Sequence, residues 1–547
     1  MTMKTWDAKP WLRFYDDVPH EITEQPASLY QVLEGKDPER IALVFNEETM
    51  TYGELQQNTE RVAAALDALG IEPGDRVALL LPNCFAFVEL YYGILRRGAI
   101  VVALNPLYTP AELAVLLLDA RPKALVVPVE GLSKLPVGMP FSVVFADIAG
   151  QSAREHEAAT HYPGALCLSD WLNLDAPAPP VTINPTEDVA VLQYTGGTTG
   201  TPKGAMLTHW NLLSNAIQSR WWMQHLLSEQ QDTILLGLPL FHVYGMTVGM
   251  NLGLLIGARL LLLPRFTPES AAQMVQSYHP TIFPGAPTMY VALEAYARHT
   301  HLDLSSIRCC ISGSAPLPLH VQEEFERATG GKLVEGYGLS EASPVTHCQP
   351  LWDEAPRKSG IGIPYPSTSV RIVDDNGHDV QIGEPGELVL AGPQVMKGYW
   401  NRPEETADVL REGWLFTGDI AIMDQEGYFQ IVDRKKDVII CSGFNVYPRE
   451  VEEVLYQYPG IQEASVVGIP DDYRGETIKA YIVSRPQSLL DLDDLNAFCR
   501  QRLAAYKVPR FYEVVDTLPK SAVGKILRRV LRAEARGEEP TATPNTP

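Results

Sequence analysis

Positive charge is scarce in this chain: 44 Lys and Arg stand against 67 Asp and Glu, a formal net charge of −23. Nucleic-acid backbones are held by clustered Lys and Arg, so this balance argues against a nucleic-acid partner. It also disfavours bulk attraction to anionic membranes and leaves at most peripheral contact with a bilayer. Cysteine is sparse as well. The seven cysteines (Cys84, Cys167, Cys309, Cys310, Cys348, Cys441, Cys499) form no CxxC pair and no His/Cys cluster at metal spacing. Their odd number and wide scatter fit a reducing compartment, with each thiol a small buried hydrophobe. Long uninterrupted apolar runs are missing too. The strongest candidate, Val243 to Leu263, is broken by glycines and by Arg259, and reads as core rather than as a membrane span. The opening MTMKTWDAKPWLRFYDD has no apolar h-region, which predicts no signal peptide and a cytoplasmic protein. There are no internal repeats.

What is present is enough chain for more than one domain: 547 residues, 46% hydrophobic. GDRVALLLP (from Gly74), IVVALNP (from Ile100) and KALVVPV (from Lys123) are continuous Val/Leu runs, and FAFVELYYGILRRG lies between the first two with helical spacing. That pattern predicts parallel strands buried on both faces. IRCCISGSAPLP and KLVEGYGLSE repeat the theme around the helix HVQEEFERATGG. After about Ser367 the style changes. VRIVDDNGHDVQIGEPGELVLAG carries Asn376-Gly377 between alternating runs, a hairpin signal, and MDQEGYFQIVDRKKDVII holds another. From Lys435 a third pattern runs strand, helix, strand, strand, helix over about 110 residues, large enough to fold alone. The expected fold class is therefore α/β and α+β. A large N-terminal domain of βα-layered sheets (1–434) includes a β-barrel-like subdomain (about 367–434). A small mobile C-terminal α+β domain (435–535) follows, then a disordered polar tail (536–547).

One loop has too little side chain to build a core: YTGGTTGTPKG, from Tyr194. A Walker A loop needs GxxxxGK followed by Ser or Thr. Here Pro202 precedes Lys203 and Gly204 follows it, so the spacing fails. The composition still suits a polyphosphate cradle, with backbone N–H groups and hydroxyls around the anion and Lys203 as a point charge. The bland alternative is a flexible Gly-rich surface loop.

The other motifs decide between the two. EGYGLSE (from Glu335), GWLFTGD (from Gly413), VDRKKDVII (from Val432), GFNVYPREVE (from Gly443) and PKSAVGKILRR (from Pro519) follow in order. Together with the loop they resemble the adenylate-forming superfamily of acyl-CoA synthetases, nonribosomal adenylation domains and luciferases, over roughly residues 30 to 535. EGYGLSEASPVTH and NPLYTPAEL look most like bacterial long-chain fatty acid–CoA ligases. The loop departs from the family at Gly197, where Ser or Thr is expected.

The resemblance implies two half-reactions. A fatty acid carboxylate, medium to long in chain, attacks the α-phosphate of ATP to give acyl-adenylate and pyrophosphate; coenzyme A then takes the acyl group and AMP leaves. It implies an ATP site at Thr195, Gly196, Gly197, Thr198, Thr199, Gly200 and Lys203. Gly313, Ser314 and Ala315 would lie near the base and the acyl carbonyl, their small size allowing close approach. Glu335, Gly336, Tyr337, Gly338 and Ser340 belong to the same site, with Tyr337 a flat face for adenine. Asp419 and Arg434 would hold the ribose. Thr195 and Glu341 would hold Mg²⁺, a hard cation that needs few protein oxygens between phosphates. Lys525 would bridge carboxylate and α-phosphate as the main catalytic lysine. Lys436 would be the hinge, and Gly443 with Phe444 would face coenzyme A. His242 would gate the carboxylate end of the acyl pocket. Glycines in GLPLFHVYGMTVGMNLGLLIGARLLLLP (from Gly237) could leave a slot for the alkyl chain, with Trp221, Trp222 and GAPTMY (from Gly285) as walls; the alternative, which suits most of these side chains, is a helix packed against the sheet. Against Arg434 stands a surface ion pair with Asp433 or Asp437; against Lys525, mere membership of a basic helix. An aryl or other carboxylic acid–CoA ligase, or a freestanding enzyme loading a carrier protein, fits the same motifs. A homodimer is an admissible assembly.

Overall fold

In the computed structural model the described residues are 9–135, 141–148, 152–195, 202–228, 230–353, 355–356, 358–441, 444–471, 474–485, 488, 490–521 and 525–536. The chain divides into two compact units, one spanning Trp11–Ser369 with Ala391–Gly413, the other built on Val370–Leu390 and the chain from Trp414 onward.

The Val/Leu runs form the centre of the larger unit. Its main sheet runs in the order Gly398–Tyr399, Lys203–Thr208, Val189–Thr195, Ile100–Ala103, Arg76–Leu79, Ala124–Pro128, Ser142–Ala146, Leu166–Cys167. From Val189–Thr195 to Leu166–Cys167 every pairing is parallel. Ile100–Ala103 is buried at all four positions, as a strand covered on both faces must be. Helices follow where the sequence supplies caps. Thr109 and Glu112 of NPLYTPAEL make a reciprocal capping box that starts the helix Pro110–Ala120.

A second set of strands carries Thr233–Leu236, Arg259–Leu262, Ile41–Phe45 and Glu48–Thr51. Parallel bridges through Ile282 link it to Cys309–Ser312, which pairs in parallel with Lys332–Gly338. The apolar stretch from Val243 resolves into a π-helix, Gly245–Asn251, a short α-helix, Leu252–Leu255, and the strand Arg259–Leu262. Among the described residues no helix is long and apolar enough to cross a membrane. All seven cysteines are buried and free, as their scatter predicts.

In the other unit the strands Ser369–Val373, Gly386–Ala391, Trp414–Met423 and Phe429–Arg434 are antiparallel neighbours where their registers are defined. The Asn376-Gly377 turn forms as predicted. Asp374 accepts from the N–H groups of Asn376 and His378, and Gly377 takes φ +80°. The last part of the chain is the predicted α+β pattern. Ile461–Asp471 and Gly475–Ser484 form a long antiparallel pair, flanked by Ile439–Cys441 and Phe444–Val446. Phe511–Val514 adds in parallel. The helices are Pro448–Tyr456, Leu492–Arg500 and Arg528–Arg536.

Candidate active site

The Gly/Thr loop joins two strands of one hairpin. Val189–Thr195 and Lys203–Thr208 are antiparallel, with Thr195 opposite Lys203. The hairpin fixes both loop ends in the main sheet. Gly196, Gly197, Thr198, Thr199 and Gly200 lie outside the described residues. Beside the hairpin runs the short strand Gly398–Tyr399, with Tyr399 opposite Ala205. Lys203 Nζ stands 5.2 Å from the Tyr399 ring centroid, a cation–π distance. The Tyr399 hydroxyl donates to Glu341 Oε1 at 2.8 Å. Thus Thr195, Lys203 and Glu341, distant in sequence, meet through a tyrosine that motif reading missed. Burial, and then the Glu341 charge, push the Tyr399 pKa up, so the phenol stays neutral and donates. Glu341 is further held by its own carbonyl, which accepts from Met396 N–H. With Oε1 engaged by a neutral donor, Oε2 makes no hydrogen bond among the described residues. One anchored carboxylate with one oxygen to spare suits a divalent cation that takes its other ligands from phosphates.

Next to this cluster the parallel strands end together. Ser312 pairs with Glu335, and Gly285 bridges Ser312, so Gly285 and Gly313–Ala315 leave the parallel strands at one edge, while Gly336–Gly338 runs on in antiparallel pairing with Val345–Cys348. Crevices at the carboxyl ends of parallel strands are where α/β folds hold ligands. Glu335, buried, accepts from Leu317 N–H and draws the 313–317 loop back to its strand. Tyr337 meets His347 edge-on at 6.0 Å. A Cβ on Gly338 would lie 2.1 Å from Pro344 O, so its glycine is required by backbone packing. Gly313 needs a different explanation from the predicted one. A Cβ there would lie 2.9 Å from the Tyr244 ring, so its small size seats Tyr244, whose hydroxyl donates to Ile311 O at 2.6 Å. His242 sits two residues earlier, its Nδ1 accepting from Tyr244 N–H at 3.3 Å. The His242 turn is thereby held against the Gly313 loop.

Of the two readings of the glycine-rich stretch, packing against the sheet is the one that holds at three glycines. A Cβ on Gly249 would strike Leu236 Cδ1 at 2.2 Å, one on Gly253 would strike Leu260 Cδ2 at 2.4 Å, and one on Gly245 would strike Pro239 O at 2.4 Å. These glycines admit core leucines and backbone, leaving no room for a ligand on that face. Trp222 is corrected. It is fully buried, donates to Gln349 O, and packs with Tyr15, Trp352 and Tyr365. Trp221 remains half-buried beside Arg220.

In the other unit Asp419 and Arg434 face each other across the hairpin Trp414–Met423/Phe429–Arg434, with Arg434 Nε 3.5 Å from Asp419 Oδ1. Among the described residues the rival ion pair does not form: Asp433 binds Arg528, and Asp437 binds Arg528 and Arg532. Lys525 shares the Asp419–Arg434 neighbourhood. Burial, then the Arg434 charge, lower its pKa to about 7, with Asp419 opposing and Lys436 adding to the shift. Partial desolvation and Arg434 likewise lower Lys436 to about 8. Three cations around one carboxylate make a site short of negative charge. Phe444 is exposed and stacks on Tyr506 at 4.6 Å; Gly443 lies outside the described residues. Besides Tyr399, sequence reading also missed Arg528. For Tyr399 the available signal was an aromatic pair, Tyr399-Trp400, just before a Pro-started acidic helix, Pro403–Val409.

Comparison with known proteins places these features in a family. The AMP-binding enzyme model matches residues 31–400, and the AMP-binding enzyme C-terminal domain model matches 450–525. The chain is 45% identical to a long-chain-fatty-acid–CoA ligase of Bacillus subtilis, over 96% of this chain and 98% of that protein. It is 38% identical to a feruloyl-CoA synthase of an Amycolatopsis species, over 90% and 96%. The solved structure of ATP-bound MatB from Rhodopseudomonas palustris superposes with a TM-score of 0.83 at 31% identity, covering 93% of this chain and 99% of that one.

Proposed function

The chain belongs to the AMP-binding enzyme family, and from that premise we propose that it joins a medium- to long-chain fatty acid to coenzyme A through an acyl-adenylate, releasing AMP and pyrophosphate. The observation that carries this reading is the likeness to a long-chain-fatty-acid–CoA ligase over nearly the whole chain.

A carboxylate is a poor electrophile at neutral pH, and adenylation converts it to a mixed anhydride. The first step brings two anions together, so the protein must supply positive charge and fixed positions. Lys525 neutralises the carboxylate and α-phosphate oxygens. Asp419 accepts from the ribose hydroxyls, with Arg434 beside it. The 195–203 loop and Lys203 hold the pyrophosphate side. Glu341 and Thr195 would hold Mg²⁺, which would supply charge neutralisation on the phosphates. The small domain, 435–535, then rotates about Lys436 and withdraws Lys525, and the Gly443–Phe444 loop meets coenzyme A. Domain motion of this kind is an accepted device for serial chemistry. Within the acyl site His242 stands at the carboxylate end. The reading is of a cytoplasmic enzyme, with a homodimer as its candidate assembly and membrane contact limited to the periphery.

The test is AMP release dependent on ATP, Mg²⁺ and coenzyme A across acetate, octanoate, palmitate, benzoate and coumarate. Each buried methylene contributes about 0.8 kcal/mol, so an alkyl pocket gives kcat/KM rising several-fold per added CH₂ until the pocket is full. The likeness to a feruloyl-CoA synthase supports a second reading, an aryl acid–CoA ligase. A best rate with coumarate selects it. Adenylate formation without transfer to coenzyme A selects a carrier-protein loading enzyme.

A further inference from the structure

Arg528 is the centre of a partly buried ion cluster that the reaction scheme leaves without a role. It opens the helix Arg528–Arg536, three residues after Lys525. Its Nη1 lies 2.9 Å from Asp433 Oδ1 and 3.6 Å from Asp437 Oδ2. Its Nη2 lies 2.5 Å from Glu452 Oε2, and its Nε donates to Glu452 Oε1 at 3.2 Å. The carboxylates are themselves fixed. Asp433 accepts from the N–H groups of Arg434 and Arg449, and Glu452 accepts from Val466 N–H. A planar fork that serves several carboxylates at once is chemistry that arginine provides and lysine does not.

The partners lie on different sides of the proposed hinge. Asp433 ends the hairpin before Lys436. Glu452, on helix Pro448–Tyr456, and Arg528 both come after it. Rotation about Lys436 carries Arg528, Glu452 and Arg449 together but separates the Arg528 side chain and the Arg449 N–H from Asp433. The pair with Glu452 is therefore common to all orientations, whereas the pair with Asp433 belongs to one. In that one orientation Lys525 lies near enough to Asp419 and Arg434 for their charges to act on it.

The geometry points to Arg528 as a positioning residue for adenylation: its pairing with Asp433 latches the small domain in the orientation that presents Lys525. The inference rests on the adenylation reading above. Asp433 is buried and Arg528 partly so, and removing Arg528 would leave the Asp433 charge short of a partner, which gives the latch its strength. A purely structural cluster would support both half-reactions equally; a latch supports only the one that uses Lys525.

The experiment compares the full-length wild type with Arg528→Met and Arg528→Lys. Three quantities are measured: palmitate-dependent ATP–pyrophosphate exchange, thioester formation from supplied palmitoyl-adenylate, and the rate of tryptic cleavage after Lys435 or Lys436. In Arg528→Met, exchange falls about 30-fold while thioester formation stays within about twofold. Cleavage at the hinge speeds up about fivefold, and Arg528→Lys recovers part of each change. Equal losses in both half-reactions overturn the proposal, as does unchanged exchange with unchanged cleavage. If Arg528→Met does not fold, Asp433→Asn, which keeps an acceptor for the backbone, must show the same split or the latch is refuted. A wild type without exchange on any carboxylate refutes the adenylation reading instead, and the cleavage comparison then decides the latch alone.

Discussion

Glu341 and Asp419 are both carboxylates proposed to serve one nucleotide, yet their company differs in kind. Glu341 is steadied by the neutral Tyr399 phenol, and the nearby cation Lys203 rests over the same ring. Asp419 is crowded by Arg434, with Lys525 and Lys436 close enough to feel it, and two of these cations have lowered pKa values. The first site is satisfied by sheet pairing and neutral contacts before any ligand arrives. The second holds an excess of positive charge that an anion relieves. One is a pre-formed seat and the other an electrostatic demand, and each should respond to its own kind of perturbation.

The largest effect is expected at the charge-rich site. Lys525→Ala should slow adenylate formation about 10³-fold and leave thioester formation from supplied acyl-adenylate nearly intact, read by exchange and single-turnover assays. Equal losses would erase the contrast between the sites. Glu341→Gln keeps the shape but removes the charge. It should cost about 100-fold in adenylation and raise the Mg²⁺ concentration needed for half-maximal rate, measured by metal titration after chelation.

The pH response sharpens the comparison further. Lys525 must be protonated to neutralise oxygens, and its pKa in the free enzyme is lowered to about 7. The rate constant kcat/KM for ATP should therefore fall about tenfold per unit as pH rises above 7, with a one-proton limb. Lys525→Arg should lower the rate but abolish that limb. The same shift destabilises the fold at low pH. The unfolded lysine titrates near 10.4, so between about 7 and 10 the unfolded chain holds more protons and stability rises with pH. Tyr399→Phe tests the satisfied site: losing one hydrogen bond should raise the KM for MgATP about fivefold with little change in kcat. Gly197→Ser should be smallest, a KM for ATP lowered about twofold if a hydroxyl there reaches phosphate.

Much of this was legible in one dimension because backbone rules are local. Val/Leu runs announced Ile100–Ala103 and its parallel neighbours, and Asn376-Gly377 announced a turn. Asp419 and Arg434, fifteen positions apart, were brought together by a hairpin the sequence also marked. What stayed hidden depends on who fills a space. Trp222 resembled a tunnel wall until Tyr15, Trp352 and Tyr365 were seen around it. Gly249 and Gly253 resembled a slot until Leu236 and Leu260 were found in it. Tyr399 and Glu341 are 58 residues apart, and only sheet pairing between Gly398–Tyr399 and Lys203–Thr208 brings that tyrosine to the loop.

The π-helix Gly245–Asn251 leads away from the turn that carries His242 and Tyr244. A π segment holds more residues per turn than an α-helix, at a cost in hydrogen-bond geometry. The wider turn takes up an extra residue without changing how far the coil winds overall, so deleting one residue there would let it relax to α while Gly253 kept nearly the same phase against Leu260 of the strand Arg259–Leu262. The segment is thus a slack turn: the chain can gain or lose a residue there while the face packed on the sheet stays the same.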